Sequence, residues 1–561
     1  MSARVPTASV NKPVQREFDK FSSISLKYGF LYGLDRKSRI LLLGEYYQSM
    51  ARDLAQSYET VQCITQAAEL AEAEIGSYDL ICLDAYSRWT DSDMPALIRT
   101  ARSNLSTSGT LLVAATNRLS IERILNTLRR RLVRQMRGLT PWGYKKALKA
   151  AGFSSVHEFI VLPSLHKPEE YIDSINGEVE LPGFVSFLHK IICAIGLYRY
   201  AHNDYLYVAS TRPTSGFTQF AAAIEGYTTA PSEPRQDCMR VERFDLRDRG
   251  ALMFMLSDRA KKYRYVVRVA VSESVNSVIA RNKLFTDRIL TLDKLNQSLM
   301  RLVPRSIAAF EYRGCYVYVE NRVLGVLVWK VVRNRHIEGI AYRGAFEFIH
   351  AFNLATMREY MVDSALFGEL IGNDLIKMRS AFGDSGGADE IIDGIELYMR
   401  TYFTDRKLYV VWGHGDYGYG NILCERSSGR VQGVIDWDTH VEQELPGVDL
   451  CNLLLQRISA EFSGNVALTM EKLHGMIVDT GKLDSDLPGY GKEDFNLDVA
   501  ALTVYLCITG LRIVKRSIPY EKEFSLGLDR YLAILRSGLR ILETIAGTNI
   551  NAENDIGCRL T

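Results

Sequence analysis

The chain lacks a charge excess of either sign: 68 Lys and Arg stand against 66 Asp and Glu, a formal net charge of +2 over 561 residues. That balance gives no whole-chain attraction to nucleic acid or to an anionic membrane, and neither is expected as a partner. No CxxC pair occurs among the nine cysteines, and their number is odd. Neither a disulfide framework nor a zinc site is indicated. Most of these thiols sit in apolar runs, where Cys behaves as a small hydrophobe. A reducing, cytoplasmic setting is the expectation. The N-terminal residues lack the apolar core of a signal peptide. The apolar stretch Val499–Val514 is shorter than the ~20 residues of a membrane span and contains Arg512. It reads as a buried helix. There is no repeat and no low-complexity tract. The one basic concentration, Arg129, Arg130, Arg131, Arg134 and Arg137, also fits the solvated face of a helix carrying Leu125, Leu128, Leu132 and Val133.

What is present is ordinary globular material. Apolar residues make up 47 % and charged residues 24 %, enough for each half to bury its own core. At about 100–200 residues per domain, two to four domains are expected. Residues 1–38 read as a polar arm with Pro6 and Pro13. Strands are expected at Ile40–Leu43, Thr60–Thr65, Tyr78–Asp84 and Thr110–Ala115, with a helix over Met50–Ser57. Strands alternating with helices argue for an open α/β sheet with a parallel core. Thr140-Pro141 opens a helix that runs to Ala151, because Pro is favoured at the first helical position, and Gly152 ends it. Val156–Leu162 and Tyr205–Ser210 are further strands, with a partly helical insertion between them. Residues 211–237 mix Pro, Gly, Ser and Thr and read as a linker. Beyond it lie strand-like runs at Met239–Phe244, Ala251–Leu256, Tyr263–Val271 and Cys315–Glu320, with a helix over 274–290. From about 340 the chain is mainly helical, broken by short strands at Leu408–Val411, Ile422–Cys424 and Gly433–Asp436. A small sheet-rich lobe, about 238–325, followed by a helical one, about 326–561, is expected.

The segment from Val410 to Leu423 contains His414-Gly415-Asp416, with Asn421 five residues after the Asp. Gly433-Val434-Ile435-Asp436-Trp437-Asp438 follows. The pair resembles the catalytic and metal-binding loops of the aminoglycoside phosphotransferase and choline kinase family. The order, the spacing and the short apolar strand beside each loop make the resemblance specific. Phosphoryl transfer needs positioning and charge neutralisation more than covalent help. The resemblance implies that Asp416 orients the acceptor hydroxyl and takes its proton. It implies that Asn421 and Asp436 hold Mg²⁺, a cation that suits one carboxylate, one amide oxygen and phosphate oxygens. His414 would hold the loop. Glu442, Glu444 and Asp449 continue the pattern. They could attract a cationic acceptor or serve as loop polarity, and Asp449 reads as structural.

Upstream the pattern is looser. Arg268, in the strand Tyr265–Ala270, stands where the family carries Lys for the nucleotide phosphates; Arg binds phosphate bidentately but is not an equivalent of Lys. It could equally be a surface residue at a strand end. Asp287 is the candidate carboxylate for Arg268, or a solvent-facing Asp. Glu320 stands at the analogue of the adenine-contacting hinge, or at a plain strand end. Asp438 is a further candidate on the nucleotide side. Arg247-Asp248-Arg249-Gly250 offers one glycine where a glycine-rich loop would cradle phosphates.

Residues 39–210 resemble class I SAM-dependent methyltransferases through strand order, the turn Leu105–Leu112, and Ala151-Gly152-Phe153 before the closing antiparallel strands. Their cofactor motifs are degenerate: Gly44 is the single glycine after the first strand, and the second strand ends without an acid. Asp84, ending the third, is the one carboxylate placed for the crevice, or a capping Asp. The expected fold is thus α/β plus α+β: a Rossmann-like methyltransferase fold, then a bilobal kinase-like domain. The expected activity is ATP- and Mg²⁺-dependent phosphorylation of a hydroxyl on a small molecule, sugar, glycan or natural product, with SAM binding impaired. A bifunctional methyltransferase-kinase and a non-catalytic scaffold are the alternatives.

Overall fold

The computed structural model describes residues 29–44, 47, 51–84, 94–116, 139–173, 204–228, 239–246, 251–479 and 498–557, apart from short gaps inside these ranges. The polar arm to residue 28, the basic run 129–137 and the Arg247–Gly250 turn lie outside the described residues. The chain forms two compact units: residues 1–280 with 306–322, and residues 281–305 with 323–561.

In the first unit, β1 (Arg39–Leu43), β2 (Thr60–Ile64), β3 (Tyr78–Asp84) and β4 (Leu105–Thr116) pair in parallel in the order β2-β1-β3-β4. Their near-continuous apolar sequences follow from burial on both faces. Ile40, Leu42, Leu80 and Cys82 enter one core and Leu41, Leu43, Ile81 and Leu83 another, as the two-residue period of a strand requires. β5 (Ser155–Ser164) and β7 (Asp204–Ser210) close this part antiparallel, with β7 between β4 and β5. The Pro141–Ala150 helix begins where Thr140 accepts the Gly143 N–H, and the chain leaves it at Gly152 with φ +85°.

The sheet does not end there. β6 (Lys167–Asp173) pairs with β5 on one side and with β8 (Arg240–Leu246) on the other. β9 (Ala251–Ser257), β10 (Arg264–Ala270), β11 (Ser306–Tyr312) and β12 (Cys315–Asn321) complete twelve strands in the order β11-β12-β10-β9-β8-β6-β5-β7-β4-β3-β1-β2. The α/β part and the sheet-rich lobe expected after it therefore share one sheet. The segment expected to be a linker holds a helix, Gly216–Thr228. Its Phe217, Phe220, Ala221 and Ile224 are buried, at i, i+3, i+4 and i+7. Phe217 meets Phe159 of β5 and Phe244 of β8 at centroid distances of 5.0 and 5.4 Å, and Phe220 meets Phe254 of β9 at 5.0 Å. This apolar stripe is the physical reason why the segment is core and not tether: the surrounding Pro, Gly, Ser and Thr mask it in composition.

The second unit is mainly helical, with two three-stranded sheets. β13 (Val326–Leu327) pairs with β16 (Ile422–Cys424), which pairs with β17 (Val431–Val434). β14 (Arg358–Met361) and β18 (Val441–Glu444) flank β15 (Lys407–Gly413). The Arg335–Thr356, Val499–Ser517 and Leu528–Gly557 helices are the longest of the unit and all contribute to its core. Among the described residues no helix is long and apolar enough to cross a membrane.

Candidate active site

β15 delivers His414, Gly415 and Asp416 at its end, and the loop is held from beneath. The Asp449 carboxylate accepts the His414 N–H at 2.6 Å and the Gly415 N–H at 3.1 Å. Asp449 is buried at the start of the Val448–Ser459 helix. Burial raises its carboxyl above the usual range, against the opposing pull of His414 and the two amides. Gly415 has φ +79°, and a Cβ there would stand 2.1 Å from the Thr439 carbonyl oxygen. No other residue fits this turn without moving the neighbouring loop.

His414 is fully buried and fastens two loops together. Its Nε2 faces the Ile435 carbonyl at 2.9 Å, and its Nδ1 faces the Asp416 N–H at 3.3 Å. The partners assign the tautomer: Nε2 carries the hydrogen and Nδ1 accepts. Its ring lies 4.4 Å from that of Trp437, whose indole N–H donates to the Val434 carbonyl at 3.0 Å. The Ile435 N–H donates to the Asn421 carbonyl at 2.9 Å. The residue before Asp436 is thus tied both to His414 and to Asn421. Asp436 itself has φ +68° and ψ +56°, left-handed values that a side chain rarely adopts. Such strain persists where the surroundings impose it, and it gathers at functional sites. Asp438 follows in the short turn Trp437–Thr439 and is half-buried.

The Asn421 amide donates to the Asp416 carbonyl at 2.9 Å and to its carboxylate at 3.2 Å. This fixes the side chain and leaves Oδ1 as the atom available to a cation. Four sequence candidates, His414, Asp416, Asn421 and Asp436, therefore lie on two loops joined by hydrogen bonds. An amide oxygen beside an aspartate is a hard donor set that fits Mg²⁺.

The three acids considered as an attraction for a cationic acceptor are committed elsewhere. Glu444 is buried and takes both Nε and Nη2 of Arg512, at 2.9 and 3.0 Å. Glu442 pairs with Arg288, and Asp449 holds the loop amides. Arg512 also donates to Asp374 and to the Leu370 carbonyl. An Arg inside an apolar helix signals buried acids, since a buried charge must be paired. The sequence reading noted Arg512 without following that signal. It missed Arg516, four residues on, whose Nη1 binds the Asp416 carboxylate and the Gly415 carbonyl.

In the first unit, Arg268 and Glu320 pair at 3.4 Å across β10 and β12, both largely buried. Residues diagonal on one face of adjacent strands meet in this way. Asp287, the expected partner of Arg268, is instead held by Lys283 at 2.7 Å, one helical turn earlier. Glu320 is the penultimate residue of β12 and is paired on both sides in the sheet, opposite Val266 and Ser306. Gly44 and Asp84 follow Leu43 and end β3 respectively, and β1 and β3 are neighbouring parallel strands on either side of the point where strand order reverses. The Gly44 N–H, however, donates to the Ile64 carbonyl at 3.0 Å, and Tyr47 is buried just beyond. Asp84 is fully buried.

No known protein family matches the chain by sequence, and no curated protein matches it. By structure it is similar to an ethanolamine kinase of Plasmodium vivax, at 13 % identity over 53 % of this chain and 80 % of that one, with a TM-score of 0.34. It is similar to an aminoglycoside phosphotransferase of Streptomyces rimosus, at 12 % identity over 48 % and 92 % of the two chains, with a TM-score of 0.31. It is also similar to a SAM-dependent methyltransferase of Archaeoglobus fulgidus, at 13 % identity over 34 % and 94 %, with a TM-score of 0.24. Both classes that the sequence resembles are represented among these structural neighbours.

Proposed function

We propose that the chain is an ATP-dependent phosphotransferase that phosphorylates a hydroxyl of a small molecule, sugar, glycan or natural product, and that its methyltransferase-like part is impaired in binding SAM. The observation that carries this reading is the His414 bridge, which joins the Asp416 loop to the Asp436 loop through Ile435 while Asn421 braces Asp416. In this reading Asp416 orients the acceptor hydroxyl and takes its proton as the oxygen attacks the terminal phosphoryl group of ATP, whose bond to the bridging oxygen breaks to release ADP. Asn421 and Asp436 are the residues that would hold Mg²⁺. When bound, that ion neutralises charge on the phosphates. Arg268 is assigned to the nucleotide phosphates, with Glu320 as its carboxylate, and Asp438 to the nucleotide side.

The test is calorimetric titration with Mg-ATP, Mg-GTP and SAM, repeated on Asp436→Ala. Mg-nucleotide binding that the substitution abolishes in a protein of unchanged circular dichroism, with no SAM binding, is the expected result. Binding of both ligands would favour the bifunctional enzyme, and binding of neither would favour a scaffold.

A further inference from the structure

The Val499–Ser517 helix ends against the catalytic loop with three cations in its last turns, Arg512, Lys515 and Arg516. Arg512 uses all three guanidinium nitrogens on Glu444, Asp374 and the Leu370 carbonyl. The Lys515 ammonium pairs with the other Asp374 oxygen at 2.7 Å. Arg516 is different. Its Nη1 alone makes both bonds to the loop, and its Nε and Nη2 donate to no described residue. Its side chain is 21 % exposed and that of Asp416 37 %, so small molecules can reach both.

The three acids near this loop that could have drawn a cationic acceptor are therefore already engaged. Glu442, Glu444 and Asp449 are neutralised or bonded by Arg288, Arg512 and backbone amides. What remains beside the carboxylate is a guanidinium whose Nε and Nη2 form a fork that meets no acceptor among the described residues, the geometry that reads carboxylate, sulfate or phosphate bidentately.

Resting on the phosphotransferase reading, we propose that Arg516 is a specificity-determining residue that makes the acceptor subsite anion-recognising. The acceptor then carries a carboxylate, sulfate or phosphate group near the hydroxyl that is phosphorylated. Nη1 keeps Asp416 in place while Nε and Nη2 take the acceptor's anion. The hydroxyl is thereby set against Asp416 without bringing two unshielded negative charges together.

The test uses inorganic sulfate as the probe. The full-length protein, saturated with Mg²⁺ and a non-hydrolysable ATP analogue, is titrated with sodium sulfate against sodium chloride of equal ionic strength. Saturable sulfate binding is expected, weakened about ten-fold or more in Arg516→Gln. Arg516→Lys, which keeps the charge but loses the fork, should fall between. Sulfate binding that is absent from the wild type, or equal in all three proteins, overturns the proposal. Failure of the analogue to bind would count against the phosphotransferase reading alone. The same titration on nucleotide-free protein would then still decide the role of Arg516.

Discussion

At the scale of single residues, His414 ties together two loops with one ring. It touches no expected substrate, yet it sets the distance between the loop of the proposed base and the loop of the proposed metal ligand. Removing its ring leaves the Ile435 carbonyl and the Asp416 N–H without their partner, and a cavity beside Trp437. A buried group left unsatisfied costs about 1–3 kcal/mol. For His414→Ala we expect that loss in urea denaturation, together with a fall in Mg-nucleotide affinity, because Asp436 loses its tether. A variant with wild-type nucleotide affinity would show that the bridge does not position the site. That this residue, Asp416, Asn421 and Asp436 belong together could be read from their motif spacing, and the hydrogen bonds between their loops bring them together. Arg516 could not be read in this way: it lies a hundred residues from Asp416, and a basic residue at a helix end is commonly there for the helix dipole alone.

At the scale of elements, the turn after Asp436 packs against the Glu273–Ile289 helix through His440, whose ring stacks on Phe285 at 3.8 Å. Its Nδ1–H donates to the Trp437 carbonyl at 2.7 Å. Burial lowers its pKa below the usual histidine value, and Arg281 adds to the effect against the pull of Glu442. The sign follows from linkage. The unfolded chain binds this proton more readily than the folded one, so stability rises with pH between the folded pKa and about 6.5. The contribution is complete above that window and is lost as pH falls through the folded pKa. We expect the wild type to lose stability relative to His440→Gln on going from about pH 7.5 to about pH 5, by urea denaturation at each pH. A difference that stays constant with pH would show that His440 titrates normally. Elements were also where sequence reading was least complete. β6, β11, β14 and β18 are short or lie in segments of mixed polarity, and their pairing depends on distant partners that no local pattern displays. The Gly216–Thr228 helix was hidden by its flanks, although its four buried positions follow helical spacing.

For the whole molecule, the consequence of the twelve-stranded sheet is mechanical. Two folds that the sequence presents in series share one hydrophobic core in the first unit. Ile40, Leu42 and Leu80 of the α/β part belong to the same cluster as Leu252, Phe254, Val267 and Val319 of the lobe that carries Arg268. The Gly216–Thr228 helix contributes Phe217, Phe220, Ala221 and Ile224 to that cluster. The methyltransferase-like part then serves as an extension of the other lobe's sheet, and a strand edge that would otherwise be open at β8 is covered by β6. Phe220 tests this directly, being fully buried with its ring between those of Phe254 and Tyr312. Truncating such a ring costs about 3–5 kcal/mol. If the core is one cooperative body, Phe220→Ala should raise amide hydrogen exchange in β1 and β3 as much as in β9 and β10. Exchange that rises in β9 and β10 alone would mean that the two parts open independently, joined by hydrogen bonds between β6 and β8 but not by a common core.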